Sequence, residues 1–434
     1  MRFLAIVLAL LGGIFAQAQT TKDSTQKINF HFQTTYIYQY KPSFHSPYTG
    51  TNSLSGDEEK QNSLSATLYL GARLWKGAAI FINPEIVGGS GLTGAVGMGA
   101  SANGETFRVG NPEPTLFLGR AYLQQTFALK GAYEDVEDAA NQLRGKEPKN
   151  FVRVLAGKFC LGDIFDNNDF SNAPRTQFLN WAFMNNGAWD YAADVRGYTY
   201  SVSAILQLGN WAFKAGAAAL PTTANGSKLN TNFSEALSLN AQVERGFSIN
   251  NRPGSIKLLA FRNKANMGNY DSAIKMIEPD VTLTRELGRT KYGFGVNFSQ
   301  QIGKYTGLFA RAGWNDGKNE TWCFTEIDQN LSAGILIDGA KWKREDDEIG
   351  IANTLGGLSK DHQEYLKLGG NGFILGDGKL NYRAENVTEI YYKVKPFQKY
   401  PIWFSGDYQF VMNPGYNKDR GPVSILSARF HVEF

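Results

Sequence analysis

Polar and apolar side chains alternate along several long stretches of this chain. Apolar or aromatic residues recur at every second position from Ile28 to Tyr40, with mostly polar residues between them. The same period returns at 63–74, 292–299, 402–410 and 426–434. Strands of soluble proteins average about 5–6 residues, whereas strands that cross a membrane need about 9–11. The pattern therefore predicts membrane-spanning strands with an apolar face toward lipid and a polar face toward water.

About sixteen such runs occur, with expected starts near residues 28, 62, 78, 115, 151, 197, 210, 236, 255, 289, 304, 321, 347, 385, 400 and 421. An even number of strands closes an antiparallel barrel with both termini on one side. Short connections such as Lys76-Gly77 alternate with long ones such as 41–61 and 88–114. The predicted fold is thus an all-β transmembrane barrel with short periplasmic turns and long external loops.

One connection breaks this alternation, and one of the long loops has an unusual composition. Residues 130–150 fall on the short-turn side but carry an acidic run, and we interpret them as a small helical excursion into the periplasm. Residues 162–196, the third long loop, show neither strand nor helix periodicity and are rich in Phe, Trp and Tyr. Loops longer than about 12–15 residues are usually functional or disordered, and so aromatic a segment is expected to fold onto a surface.

A barrel of about 16 strands encloses an aqueous lumen rather than a packed core. The third long loop is therefore expected to fold inward and narrow that lumen. This places the chain among channels.

The N-terminus resembles a secretory signal. Residues 1–19 combine an early Arg2, an apolar run from Phe3 to Phe15 and an A-x-A pattern that ends at Ala18. The alternative, a helical membrane anchor, needs about 20 apolar residues, and this run is shorter. We expect cleavage near Ala18, a polar leader at 20–27 and one barrel domain at 28–434, exported to the Gram-negative outer membrane.

Composition excludes several function classes. The net charge is only +4 and no basic cluster is present, which argues against nucleic-acid binding. Cys160 and Cys323 are the two cysteines and are expected to be free, and the four histidines lack H-x-x-H spacing. No metal and no cofactor is predicted.

Two catalytic interpretations are weaker than their structural alternatives. Residues 89–94 read GSGLTG, which matches a dinucleotide-binding fingerprint, but small residues and not an apolar helix follow. A tightly folded external loop explains these glycines better. His31 and His431 are expected to face the lumen near many serines, but no G-x-S-x-G context occurs, so ordinary pore lining is favoured and no enzyme is predicted.

Charged residues are the better candidates for function. Strand parity predicts basic side chains toward the lumen, and the third loop brings carboxylates against them. Arg forks and carboxylates can exchange hydrogen bonds with the hydroxyls of a neutral sugar. The candidate pore-lining or sugar-contacting residues are Arg73, Glu85, Arg120, Lys158, Asp166, Trp181, Trp189, Asp190 and Arg311. The alternative is that these charges only hold the loop against the wall.

The chain also resembles the carbohydrate-selective porin family, OprB, from about Ser63 to Phe434. The resemblance is carried by YLGARLWKG (69–77), NPEIVGGSGLTGAVG (83–97), FRVGNPEPTLFLGRAYLQQTF (107–127), the block from Gly157 to Tyr200, TKYGFGVNF (290–298), GWNDGKNETWCFTEID (313–328), GLSKDHQEYL (357–366) and NPGYNKDRGPVS (413–424). It implies a 16-stranded outer-membrane channel that admits glucose and other small sugars by passive diffusion. The preferred sugar does not follow from it.

The main prediction is therefore a sugar-selective diffusion porin. A general or weakly anion-selective porin is the alternative, and an enzyme or adhesin on a barrel scaffold is a third possibility. Expected partners are small sugars, outer-membrane lipid and the barrel-assembly machinery, with no nucleic acid and no obligate protein partner. Phe434, an aromatic residue at the end of the last strand, is expected to be the assembly signal.

Overall fold

The computed structural model describes residues 25–106 and 112–434, and its main feature is a closed antiparallel barrel. The strands are β1 (Ile28–Lys41), β2 (Glu59–Arg73), β3 (Ala78–Gly88), β4 (Thr115–Ala128), β5 (Tyr133–Val136), β6 (Gly145–Pro148), β7 (Phe151–Phe159), β8 (Thr199–Leu208), β9 (Trp211–Ala218), β10 (Leu237–Ile249), β11 (Arg252–Met267), β12 (Glu286–Gly303), β13 (Thr306–Asn315), β14 (Gln329–Asp338), β15 (Glu348–Gly357), β16 (Glu385–Val394), β17 (Ile402–Met412) and β18 (Val423–Glu433). All except β5 and β6 form the barrel, and those two form a separate hairpin.

Helices are few and short: α1 (Trp181–Met184), α2 (Tyr270–Ile274) and α3 (Lys360–Lys367). None in the two described ranges is long and apolar enough to span a bilayer. Single 3₁₀ turns lie at Leu92–Ala95, Leu161–Asp163, Val281–Thr284, Gly339–Trp342 and Pro414–Tyr416. The predicted signal peptide and most of the predicted leader fall outside the described residues.

The predicted sixteen-stranded closed barrel is confirmed. Most strands begin within three residues of their expected starts, but β14 begins at Gln329 and not near residue 321. The intervening residues belong to an external loop because Trp322 and Cys323 turn inward, and their backbone N–H groups donate to Asp190. Alternation alone did not distinguish this buried loop segment from a strand.

The side-chain pattern follows the predicted parity on β1. Asn29, Gln33 and Thr35 are buried on the inner face, whereas Phe30 and Tyr36 are exposed on the outer face. Outward-facing apolar side chains recur in the same way on the other barrel strands. The wall therefore has the apolar exterior and polar interior of a membrane barrel.

A bulge between β3 and β4 changes which residues face inward. Asn83 pairs with Arg120, but Pro84 pairs with Leu118, so one residue of β4 has no partner on β3. Proline has no N–H for the ladder, and bulges are one of the places where sheets accommodate it. As a result Phe117 and Arg120, at positions of opposite parity, both face the lumen.

The predicted helical excursion at 130–150 is wrong. The segment forms the β5–β6 hairpin, in which Tyr133 pairs with Pro148 and Val136 with Gly145. An acidic composition does not specify helix periodicity. The hairpin instead satisfies the backbone by cross-strand pairing, and its tip buries Leu143 against the barrel wall.

Candidate functional site

The long loop 162–196, called here the inward loop, leaves the end of β7 and folds into the barrel. Asp166 lies near its start in a left-handed backbone conformation, with φ of 54°. Its carboxylate accepts hydrogen bonds from Asn186 N (2.6 Å) and from Asn297 Nδ2 on β12 (2.9 Å). It also pairs with Arg311 Nε of β13 at 3.1 Å. Asp166 thus ties two parts of the loop to each other and to the wall.

Arg311 completes this attachment. Its guanidinium donates to the carbonyl oxygens of Asp166 (3.1 Å), Ser171 (2.6 Å) and Phe183 (2.9 Å). Such a planar fork can hold several acceptors at once, which suits it to fixing a loop that lacks regular backbone pairing. Arg311 is fully buried beneath the loop.

The C-terminal part of the inward loop is held in a similar way. Trp189 is 2% exposed, and its Nε1 donates to Asn240 on β10 at 3.0 Å. The buried Asp190 carboxylate accepts from Trp322 N (3.1 Å) and Cys323 N (2.7 Å) in the external loop before β14. Burial raises the pKa of Asp190, although the Lys291 ammonium opposes that shift.

The middle of the loop crosses to the opposite wall. Glu389 of β16 accepts from the backbone N–H groups of Leu179 (2.5 Å) and Asn180 (3.0 Å). Arg429 of β18 donates to the carbonyl oxygens of Pro174 (2.7 Å) and Gln177 (2.6 Å). Contacts on widely separated strands therefore hold the loop across the lumen.

A second external loop, which connects β3 to β4, packs on the inward loop. Gly104 N donates to Leu179 O at 2.7 Å, and Trp181 N donates to Ser101 O at 3.0 Å. Within this second loop, Gly91 and Gly94 have φ of 72° and 67°, a conformation that glycine adopts without steric cost. The two loops form one layer above the wall strands.

A cavity of about 290 Å³ lies between this layer and strands β2 to β4. Five of its six charged lining residues form two groups, and the sixth is Arg196. In the first, Arg175 of the inward loop donates to Glu85 (2.5 Å), Glu105 (2.8 Å) and Thr67 (2.8 Å). Burial disfavours the charge on Arg175, but Glu105 and Glu85 outweigh it and hold the pKa of Arg175 well above its ordinary value.

The second charged group contains Arg120 and Asp163. Two guanidinium nitrogens of Arg120 donate to the two carboxylate oxygens of Asp163, each at 2.7 Å. Tyr198 joins the two groups, because its hydroxyl donates to Glu85 at 2.5 Å and its ring lies 5.2 Å from the Arg120 guanidinium carbon. These side chains form a continuous polar wall on one side of the cavity.

Aromatic rings line another side. Trp181 also lines the cavity, is 9% exposed, and stacks on Phe324 with ring centroids 4.4 Å apart and planes at 12°. Tyr191 also stacks on Phe324, with ring centroids 4.8 Å apart, and its ring lies 6.2 Å from that of Trp181. This stacking fixes the orientation of the Trp181 ring.

The structure separates the candidate residues into distinct groups. Glu85, Arg120 and Trp181 line the cavity. By contrast, Asp166, Trp189, Asp190 and Arg311 are buried in contacts between the inward loop and its surroundings. Arg73 lies at the end of β2, where it donates to Gln26 O (3.2 Å) and Arg144 O (3.4 Å).

Lys158 departs from its predicted parity. Its register partner on β8 is Tyr200, whose ring is exposed on the outer face, so the lumen-facing parity assigned to Lys158 is wrong. Its ammonium nevertheless reaches Asp194 of the inward loop at 3.3 Å. Strand β7 ends one residue later, at Phe159, so the long Lys158 side chain can bend over the end of the barrel wall toward the inward loop.

Sequence reasoning missed Arg175 and Glu105. Arg175 is the one basic residue in the first 34 positions of the acidic inward loop, and this isolation was a usable signal. Glu105 lies in a glycine-rich loop without periodicity, and nothing in the sequence pairs it with Arg175. Within residues 25–106 and 112–434, no group of three or more His, Cys, Asp or Glu side chains could hold a metal ion, and both cysteines are free.

An apolar exterior, a polar lumen and an inward loop that leaves a narrow charged cavity together define a porin of the outer membrane. The model of the carbohydrate-selective porin family, OprB, matches residues 51–434, and the chain belongs to this family. It is an outer-membrane sugar porin. No curated protein sequence matches the chain.

Solved structures agree with the fold. The high-pH structure of Pseudomonas putida OprB is similar with a TM-score of 0.70 at 16% identity, over 95% of this chain and 99% of that one. The outer-membrane channel DcaP of Acinetobacter baumannii is similar with a TM-score of 0.52 at 11% identity, over 95% and 99% of the two chains. At these identities the likeness concerns the fold alone.

Proposed function

We propose that the cavity between the inward loop and strands β2 to β4 is the place where small neutral sugars of the glucose type bind as they diffuse passively into the periplasm. The observation that carries this proposal is the pairing of a fixed aromatic face, Trp181, with a wall of guanidinium and carboxylate groups in one cavity. A sugar presents hydroxyls at its rim and apolar C–H groups on its faces, and this lining complements both.

The charge balance of the cavity favours a neutral solute over an ion. The charged side chains among its described lining residues are Arg120, Arg175 and Arg196 on one hand and Glu85, Glu105 and Asp163 on the other. Because the two signs match in number, the cavity offers many fixed donors and acceptors without a strong net field. A pore of this kind discriminates by hydrogen bonding more than by charge.

The cavity is proposed to bind sugar only weakly. Conduction needs a site that is favourable enough to enter but weak enough to leave. Arg120 and Arg175 already hold carboxylate partners, so a sugar exchanges hydrogen bonds with occupied groups and gains little net free energy. Fast passage is the expected consequence.

The test combines transport and electrical recording. Liposomes that contain the protein should swell faster with monosaccharides than with disaccharides of equal osmolarity, and glucose should reduce the ion current in planar bilayers. Trp181→Ala should weaken the block of ion current by glucose, with little change in open conductance. Trp181→Phe keeps an aromatic ring and should retain much of that block.

The alternative, a weakly anion-selective general porin, makes different predictions. It requires a reversal potential that indicates anion preference in a salt gradient, together with no block by sugars. Both results in the same preparation would replace the sugar-binding proposal.

We also propose that the chain is exported with a cleaved signal and inserted by the barrel-assembly machinery. The support is the signal pattern at residues 1–19 and the aromatic Phe434 at the end of the closing strand. N-terminal sequencing of the mature protein tests the first part, and depletion of the assembly machinery tests the second.

A further inference from the structure

The tip of the β5–β6 hairpin, residues 137–144, lies against the inner wall at the periplasmic end of the barrel. Asp138 anchors it. One carboxylate oxygen contacts Asn29 Nδ2 (2.8 Å) and His31 Nε2 (2.9 Å), and the other accepts from Gln26 Nε2 (3.0 Å). Asn29 and His31 belong to the inner face of β1, so the tip lies on the lumen side of the wall.

Further contacts fix the rest of the tip. Asn29 Nδ2 also donates to Gln142 O (2.9 Å) and Ala139 O (3.1 Å), and Asn83 Nδ2 on β3 donates to Asn141 Oδ1 (2.9 Å). Leu143 is 5% exposed and belongs to the same buried apolar cluster as Phe81 and Tyr122. The tip is therefore held by both hydrogen bonds and apolar packing.

The tip lies in line with the cavity along the same wall. Tyr69 of β2 lines the cavity and pairs with His31, which contacts Asp138. Arg73, four residues further along β2, donates to the tip carbonyl of Arg144. At about 3.4 Å per residue, these four residues place Arg73 about 14 Å from Tyr69 along the strand, in the direction of the periplasm.

We propose that residues 137–144 form a second restriction of the pore, in series with the cavity, which narrows the periplasmic exit. A solute that leaves the cavity along strands β1 to β3 meets the tip before it reaches the periplasm. The size limit of this porin is thus set at two levels by two unrelated segments. The inference rests on passage of sugars through the barrel and is independent of which cavity residues bind them.

The first experiment replaces residues 137–144 by Asn-Gly in the full-length protein. Asn-Gly is a favoured two-residue hairpin turn, so Val136 and Gly145 can remain paired in β5 and β6. Open conductance should rise. With graded polyethylene glycols added to one side at a time, the largest polymer that enters from the periplasmic side should increase, whereas the limit from the external side should not change.

The matched control is Asp135→Asn, which removes an exposed carboxylate from the same hairpin and should leave both polymer limits as in the parent. Heat-modifiable migration verifies folding of each variant. The shortened hairpin could reduce the folded yield, and a second variant covers that case. Asp138→Ala combined with Leu143→Ser keeps the hairpin length but removes the main contacts of the tip. It should also increase the size of the largest polymer that enters from the periplasmic side.

Folded variants with unchanged conductance and an unchanged periplasmic limit would overturn the second restriction. That result leaves the response of Trp181→Ala to glucose unaffected, so it is distinguishable from failure of the cavity proposal. An increase of the limit from both sides would also contradict the inference, because it would indicate a general loosening of the barrel.

Discussion

Arg120 and Arg311 are the same residue type on the same inner face, yet they have different roles. Arg120 lines the cavity and pairs with Asp163, whereas Arg311 is covered by the inward loop and donates to its carbonyl groups. Strand parity predicted the inner face for both. It could not distinguish them, because the path of an irregular loop depends on tertiary contacts.

Because Arg120 lines the cavity and Arg311 is covered by the inward loop, cysteines introduced at these two positions should differ in their accessibility to thiol reagents. In a Cys160→Ser background, which removes a native thiol at the cavity, Arg120→Cys should react with a membrane-impermeant thiol reagent. Arg311→Cys should react slowly, because the loop covers it. The neighbouring Ala121→Cys, on the lipid face, serves as the negative control. Rapid labelling at 311 and none at 120 would show that the pore lies on the other side of the loop.

A buried charge cluster stabilises the external loops. Asp328 accepts from Ser359 N (2.9 Å), contacts His362 Nδ1 of α3 (2.9 Å), and lies 3.5 Å from the Lys291 ammonium. Burial alone would raise the pKa of Asp328, but Lys291 and His362 outweigh burial and hold that pKa well below its ordinary value. The carboxylate therefore remains charged in mild acid.

The pH dependence follows from the sign of this shift. A depressed carboxyl pKa contributes stability above its unfolded value of about 3.9, and this contribution is lost only as the pH falls through the lower folded value. The contribution of Asp328 to protease protection of loop 316–328, measured as the difference between the wild-type protein and Asp328→Asn, should thus be equal at about pH 5 and pH 7. Asp328→Asn leaves Lys291 with a weaker partner, at a cost of up to about 3–5 kcal/mol, and should expose the loop to cleavage at neutral pH.

The control for this prediction is Asp271→Asn. Asp271 of α2 forms an exposed ion pair with Lys275, the residue that follows the helix, and such pairs contribute little to stability. A difference in protection between wild-type protein and Asp328→Asn that is present at pH 7 but already lost at pH 5 would contradict the depressed pKa of Asp328.

At the scale of elements, the inward loop determines the width of the pore. Its attachments reach β10, β12, β13, β16 and β18, and its own side chains provide Arg175 and Trp181 to the cavity. Replacement of residues 167–189 by a short glycine linker removes both side chains. Single-channel conductance should rise and larger oligosaccharides should pass.

One outcome of the loop replacement would contradict the role of the inward loop as the restriction. Unchanged conductance and sugar discrimination would place the external restriction in loop 88–114, which supplies Glu105 to the same cavity. The control is the replacement by glycines of residues 276–279 in another external loop, where Ile277 and Glu278 are exposed, and it should alter neither property.

The accuracy of sequence-based prediction also differs between elements. Barrel strands were predictable because a wall between lipid and water imposes a period of two on every strand. The hairpin at 133–148 and the loop ending at Asp328 were not, since each is shaped by contacts with distant wall residues. Glu85 and Arg120 could be selected by strand parity and Trp181 by residue type. The link from Glu85 to Arg120 through Tyr198, and the contact of Arg175 with Glu85, could not be predicted.

At the scale of the whole molecule, Phe434 lies at the join between the last and first strands. It exchanges backbone hydrogen bonds with Phe32, at 2.7 and 2.9 Å, and the two rings lie 5.4 Å apart. Deletion of Phe434 leaves the polar backbone groups of Phe32 without these partners. The amount of heat-modifiable barrel in outer membranes should therefore fall, whereas Phe434→Tyr, which keeps an aromatic ring, should have a small effect. An unchanged yield after the deletion would remove Phe434 as an assembly signal.

The pairing of β1 with β18 has a consequence for the order of events during biogenesis. Gln33 and Glu433 are register partners across the join, although they are 400 positions apart in the chain. Until β18 arrives, the growing sheet has two open edges, and unpaired backbone groups in hydrocarbon cost several kcal/mol each. We therefore expect a chain that lacks β18 to be unstable in the bilayer, so that stable insertion requires the last strand to be complete.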